Sequence, residues 1–284
     1  MGRLHDIVTD KAVILARGLG TRMRKADPGT PLDMAQQAAA DLGVKAMIPV
    51  GRPFLDYVLS GLADAGVRSV CLVVAPDHAA MRSYYEGPAR PTRFSLTFAV
   101  QEHPLGTADA VLAAEGFTAG ESVLVLNADN LYPRSALRDL ASLRPGELMS
   151  HPAGLVGFRQ TALLASGNIP VERIRAFALI SARADGSLDR IIEKPDQSEG
   201  RSFGPNPLVS MNLWLLPPAI YAACRSIAPS PRGELELQDA VRNAMVHLDQ
   251  RFRVIESDGP VLDLSSRGDI PAVASRLAGV EVRL

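Results

Sequence analysis

Cysteine is scarce in this chain: only Cys71 and Cys224 occur, far apart and in apolar surroundings. That spacing excludes the clustered thiols of a zinc site or a redox motif, and buried thiols in a reducing cytoplasm are the expectation. Paired histidines are lacking too. His5, His78, His103, His151 and His247 are dispersed, with no two at metal-ligand spacing, so structural or solvent-facing roles are expected of them. Excess charge of either sign is missing, because 30 Lys plus Arg oppose 31 Asp plus Glu. No global field therefore draws in nucleic acid or an anionic membrane, and any anion site has to be local. Nor is there an uninterrupted apolar run of the roughly 18 residues that a bilayer span needs. Asp6, Asp10 and Lys11 precede the first apolar strand, which does not fit a targeting leader. The expectation is a cytoplasmic protein with no membrane segment.

What is present is apolar material in short runs. With 284 residues and 47% hydrophobic content, the chain can bury a sizeable core, and one domain over 1–284 is expected. Residues 12–15, 70–74, 96–100 and 123–126 read as strands, and their continuous apolarity suggests cover on both faces. Between the first two, Phe54, Leu55, Val58, Leu59 and Leu62 recur at helical spacing, with Gly66 as a stop. That order predicts parallel βαβ units in an α/β fold. In the second half, 155–158, 177–181, 188–192 and 209–216 read as strands of a sheet that becomes mixed. Two long loops are expected, at 24–44 and 195–207, the first with a short alanine-rich helix over 34–42.

The segment with most chemical content is 12–23, where a buried strand runs straight into Gly18-Leu19-Gly20-Thr21-Arg22. Glycines let backbone N–H groups approach phosphate oxygens, and the arginine adds charge. A dinucleotide fingerprint would need a third glycine where Met23 stands, and a Walker A loop would need Gly-Lys-Ser/Thr, which is lacking. Phosphate binding of a third kind remains. Lys45 follows about two dozen residues later, just before Met47-Ile48-Pro49-Val50. Folded back on the glycine turn, it would supply a compact positive charge to a phosphate.

Strand, G-x-G-T-R-M, a lysine before M-I-P-V, and G-R-P opening a helix together resemble the sugar-1-phosphate nucleotidyltransferase family. Further pieces match in order: Gln101 with Leu105-Gly106-Thr107-Ala108, LNADNLYP at 126–133, Glu193-Lys194-Pro195, RGELELQDA at 232–240 and VLDL at 261–264. They cover about residues 12–275. The resemblance implies a Rossmann-like, GT-A-like fold, an open, mixed, mainly parallel sheet flanked by helices. It also implies a nucleotide-binding half over about 12–150 and a sugar-phosphate half over about 151–284. The implied reaction moves a nucleotidyl group from an NTP, UTP or dTTP first, to a sugar 1-phosphate such as glucose 1-phosphate, with release of pyrophosphate.

The same resemblance distributes roles. Asp129 and Asp263 are the implied Mg²⁺ ligands, in keeping with magnesium's use of one or two carboxylates beside phosphates and water. Arg22, Lys45 and Asp129 are the implied catalytic set. Ala16, Gly18, Gly20, Thr21, Gln101, Gly106 and Thr107 are implied at the nucleotide, and Gln101 would read a pyrimidine edge with both ends of its amide. Glu193, Lys194 and Asn212 are implied at the sugar phosphate, and a homodimer or homotetramer is the implied assembly. Trp214 falls in an apolar run and is expected in the core.

Four features depart from the family pattern. Arg17 stands where Ala or Gly is usual, and would add a phosphate contact or obstruct the pocket. The 24–44 segment lengthens the approach to the lysine, as a lid or an oligomer contact. Asn127-Ala128 replaces a small, often glycine-containing approach to the metal aspartate, and Phe177-Ala178 replaces Phe/Tyr-Gly, adding bulk near the sugar. Two alternatives stay open: another acceptor, such as mannose 1-phosphate or a phosphocholine-like alcohol phosphate, and a non-catalytic protein that binds a nucleotide sugar.

Overall fold

Side-chain alternation along extended segments divides the apolar runs between two cores. In β1 (Lys11–Leu15), Ala12 and Ile14 face one side of the sheet and Val13 the other. In β2 (Ser69–Val74), Val70, Leu72 and Val74 oppose Cys71 and Val73 in the same way. Period-two geometry thus turns one continuous apolar run into two buried faces. These relations come from a computed structural model that describes residues 7–146 and 149–284; His5 and Asp6 lie outside the described residues.

β3 (Ser95–Val100) and β4 (Val123–Asn127) complete a parallel block in the order β3-β2-β1-β4. The expected strands and their parallel pairing are all there. β3 differs in one respect: it is the outer strand, Ser95 and Thr97 are exposed, and its side chains are not covered on both faces. The chain continues through β5 (Asn130–Leu131), β6 (Gly154–Arg159), β7 (Ala178–Ala182) and β8 (Leu188–Ile192). β9 (Leu208–Leu216), β10 (Arg253–Ser257) and β11 (Leu262–Asp263) follow. The main sheet runs β10-β6-β9-β4-β1-β2-β3, with β7 and β8 branching from β9. β9 is antiparallel to β4, β6 and β7, which makes the sheet mixed as expected. β10 and the small β5–β11 ladder were not legible, since Arg-Val-Ile-Glu-Ser carries little apolar signal and two-residue strands carry none.

Helices follow the caps that the sequence supplies. Phe54–Ala65 buries Phe54, Leu55, Val58, Leu59 and Leu62 and stops at Gly66, whose φ of 104° suits a residue without Cβ. Met34–Leu42 is helical as expected, opened by a reciprocal capping box between Asp33 and Gln36. The 195–207 loop contains a short helix, Gln197–Arg201, that the Ser- and Gly-rich composition hid; Asp196 and Glu199 cap it in the same reciprocal way. Both cysteines are buried and free. Among the described residues no helix is long and apolar enough to cross a membrane.

One buried charge ties the helices on the outer side of the parallel block. Asp56, fully buried, accepts from Arg52 Nε at 2.8 Å, Tyr84 hydroxyl at 3.1 Å and Tyr85 hydroxyl at 2.9 Å. Burial first, then the charge of Asp56, holds the Tyr85 hydroxyl well above the usual tyrosine range. The carboxylate thereby pins Phe54–Ala65 to the helix Ala79–Glu86. Asp56→Ala leaves these donors without their acceptor, and we expect a loss of roughly 3 kcal/mol in urea unfolding; a loss below about 1 kcal/mol would show that water replaces the carboxylate.

Candidate active site

Parallel strands deliver their carboxyl ends to one edge, and open α/β sheets hold ligands at that edge. β1 ends at Leu15, β3 at Val100 and β4 at Asn127. A cavity of about 460 Å³ lies there. Ala16, Gly18, Gly20, Thr21 and Arg22 line it from the turn after β1; Gln101, Gly106 and Thr107 line it from the segment after β3. Lys45 and Asp129 complete the wall, so residues more than 100 positions apart share one space. The glycine turn, the fold-back lysine and the aspartate after β4 are therefore brought together as the spacing predicted.

The glycine turn is braced from outside. Gly20 has a φ of 62°, and a Cβ there would fall 2.1 Å from the Gly43 carbonyl oxygen, so backbone meets backbone at this point. Gly43 ends the helix Met34–Leu42. Arg24 donates through Nε and Nη2 to the Leu42 carbonyl, and the buried Arg267 reaches Met23 O at 2.8 Å and Asp41 Oδ1 at 2.6 Å. These bonds make the 24–44 segment a buttress of the turn. Arg17 lines the cavity as well, and its Nε donates to Gln101 O at 2.9 Å and its Nη2 to Glu102 O at 3.3 Å. It cross-links the glycine turn to the segment after β3.

Charge at the far wall is arranged in pairs. Lys45 Nζ lies 2.7 Å from Asp129 Oδ2, and both side chains are mostly buried. Asp263 does not line the cavity, but the β5–β11 ladder sets it opposite Asn130, and the Leu264 amide donates to Asp129 O at 2.9 Å. Its carboxyl is pushed up by burial and next by the neighbouring charge of Asp129, with Arg173 opposing. It accepts from Arg173 Nη1 at 2.6 Å, Asn130 Nδ2 at 3.0 Å and Ser265 Oγ at 2.9 Å. Arg173 is held in turn by Asp269 at 3.0 Å. Two neighbouring carboxylates, Asp129 facing the cavity and Asp263 behind it, fit a hard divalent cation that takes its other ligands from phosphate and water. Among the described residues no cluster of three or more His, Cys, Asp and Glu could hold a metal without such help.

Glu193, Lys194 and Asn212 do not line the cavity. Lys194 follows β8 with an unusual φ of 46°, and Glu193 sits beside the 232–236 segment, from which Glu234 does line the cavity. Burial and then the charge of Glu236 raise the Glu193 carboxyl to about 7, against the pull of Lys194 and Arg232. Asn212, also at positive φ, accepts at Oδ1 from Gln238 Nε2 at 2.9 Å and Trp214 Nε1 at 3.3 Å. Its side chain braces the protein in this structure. Trp214 is fully buried, as expected of a core residue, and Ala178 is buried in β7. Sequence reading passed over Asp109 and Arg173, because a lone acidic or basic residue on a short helix carries no pattern.

A profile of the nucleotidyl transferase family matches residues 11–259. The chain belongs to the nucleotidyl transferase family. Within it, the low-salt glycan biosynthesis nucleotidyltransferase of Haloferax volcanii is 25% identical over 83% of this chain, which spans 57% of that relative's length. A UTP–glucose-1-phosphate uridylyltransferase of the same organism is 25% identical over 94% of this chain and 96% of its own. A solved UDP-glucose pyrophosphorylase in complex with UDP-glucose superposes with a TM-score of 0.72 at 17% identity, covering 96% of this chain and all of that one, a likeness of fold.

Glu193 makes this nucleotidyl transferase sensitive to pH. Its folded carboxyl titrates at about 7 against an ordinary 4.5, so the folded state holds the proton more tightly than the unfolded chain. That contribution is full below about 4.5 and is lost as pH rises through about 7. It amounts to no more than about 3 kcal/mol. Glu193→Gln should narrow the difference in urea-unfolding free energy between pH 5 and pH 8; an unchanged difference would mean that Glu193 is solvated.

Proposed function

We propose that this protein is a Mg²⁺-dependent sugar-1-phosphate nucleotidyltransferase that joins UTP or dTTP to a sugar 1-phosphate, glucose 1-phosphate first among acceptors, and releases pyrophosphate. The observation that carries this reading is the convergence of the glycine turn, Arg22, Lys45, Gln101 and Asp129 on one cavity. Residues of about 12–150 supply the nucleotide side and residues of about 151–284 the sugar-phosphate side of one domain. We place the protein in the cytoplasm as a homodimer or homotetramer, which light scattering would read.

Attack of a sugar phosphate on the α-phosphorus brings two anions together, so the protein's task is alignment and positive charge, without a covalent intermediate. Gly18 and Gly20 open the backbone of the turn to the triphosphate, and Ala16, Thr21, Gly106 and Thr107 shape the nucleotide's walls. Arg22, exposed on the rim, neutralises the departing pyrophosphate. The Lys45 ammonium has three donors, so it can keep Asp129 and still reach an α-phosphate oxygen. At 4 Å and an effective dielectric near 20, each such charge pair contributes about 4 kcal/mol before solvent competition, and about 1.4 kcal/mol is tenfold in rate. Asp129 and Asp263 would hold Mg²⁺, which when bound supplies charge neutralisation at the phosphates. Lys194 meets the incoming sugar phosphate, Glu193 accepts from sugar hydroxyls, and Asn212 joins them on the sugar-phosphate side.

Pyrophosphate release, measured for each NTP with a panel of sugar phosphates, mannose 1-phosphate and phosphocholine included, tests the reading. Release that needs both substrates and Mg²⁺ supports it; nucleotide binding without turnover against any acceptor would make this a binding protein. Lys45→Ala should lower kcat by roughly 10²–10³-fold with the fold retained, and Asp129→Ala should abolish Mg²⁺-dependent release. Turnover within a few-fold of the parent protein in either variant would remove that residue from the catalytic set.

A further inference from the structure

Gln101 is 4% exposed and lines the cavity at the end of β3. Its side-chain nitrogen donates twice: to the Gly106 carbonyl at 3.0 Å and to Asp109 Oδ2 at 2.8 Å. A primary amide nitrogen carries two protons, and both are taken. Each partner is an oxygen acceptor, so the orientation of the amide follows from chemistry: turned over, it would set its oxygen against two others and leave a buried N–H₂ facing away from both. Among the described residues nothing donates to Oε1. The acceptor at Gly106 is rigid as well. Gly106 has a φ of 125°, a Cβ there would meet Leu235 O at 2.4 Å, and the 105–108 backbone exchanges hydrogen bonds with Leu235. Asp109 is the movable member of the pair, in the first turn of the helix Thr107–Ala113.

We propose that Asp109 is the positioning residue for base selection: with Gly106 O it consumes the donors of Gln101 and leaves the amide able to offer a base only an acceptor. This rests on the nucleotide-binding reading of the cavity and narrows it. Uracil and thymine carry a proton on N3 and satisfy Oε1. Cytosine carries a lone pair at N3, which would face the Oε1 lone pairs. In this arrangement the amide reads one donor on the base edge, where a free amide could pair with a donor and an acceptor. A site whose polar group is buried in a fixed sense rejects a mismatched partner far more strongly than an apolar pocket rejects a change of size.

The test compares UTP with CTP in the full-length protein, by equilibrium binding without any sugar phosphate and by kcat/KM for pyrophosphate release with glucose 1-phosphate. The parent protein should favour UTP by at least about a hundredfold. Asp109→Asn can offer a donor where the carboxylate only accepts, and Asp109→Ala removes that acceptor, so in both variants Gly106 O alone holds the sense of the amide. Both should lower the UTP/CTP ratio by about tenfold or more, with CTP gaining, while the thermal midpoint stays within a few degrees. A purely structural role for Asp109 would weaken both nucleotides alike and leave the ratio unchanged. An unchanged ratio in a folded variant, or a parent protein indifferent to the base, overturns the proposal while leaving transfer itself standing. Absence of nucleotide binding and of pyrophosphate release with every NTP would overturn the parent reading and this one together.

Discussion

A strand buried on both faces must satisfy its backbone by pairing with strands on both sides, and β1 does so in parallel with β2 and β4. Everything at the site depends on that constraint. Parallel neighbours end at the same edge, so the turns that follow β1, β3 and β4 emerge side by side and leave a common space between them. The glycine turn, the Gln101 segment and Asp129 are neighbours because three strands point the same way. The antiparallel β9 then closes the inner side of β4 and begins the less regular half, from which the 232–236 segment returns to the cavity.

Packing alone would not hold the turns in place. The glycine turn lacks side chains at Gly18 and Gly20 and is stiffened by its surroundings: Gly43 against Gly20 on the outside, Arg267 beneath, and Arg17 reaching across to the carbonyls of Gln101 and Glu102. Charged groups near the cavity are likewise compensated in pairs or chains. Lys45 meets Asp129; Asp263 meets Arg173, which meets Asp269. Buried charges cost several kcal/mol each unless paired, so the pairing lets the site keep cations and carboxylates a few ångströms apart inside a mostly covered wall.

Much of this was legible beforehand because it is local. Apolar runs of five or six residues, a helical repeat ended by Gly66, and a strand that breaks into Gly-x-Gly are patterns that a few consecutive residues carry by themselves. The helix Met34–Leu42 was legible for the same reason, through its alanine run. Misread or unread features share the opposite property. β10 has mixed polarity and becomes a strand only because β6 offers an edge; β3 is apolar in composition yet lies at the margin of the sheet. The 24–44 segment had the composition of a loose insertion and is braced by bonds to Arg24 and Arg267.

The sequence by itself determined the alternation of strands and helices, the glycine turn and the identity of the groups that gather around it, because hydrophobic periodicity and backbone freedom act over a few residues. Only the tertiary structure decided which way those groups face. It turned Arg17 toward carbonyls, tied Asp263 to an arginine 90 positions away, and committed both protons of Gln101 to Gly106 and Asp109. Hydrogen bonds choose partners by distance and direction in space, and neither is written in the order of residues along the chain.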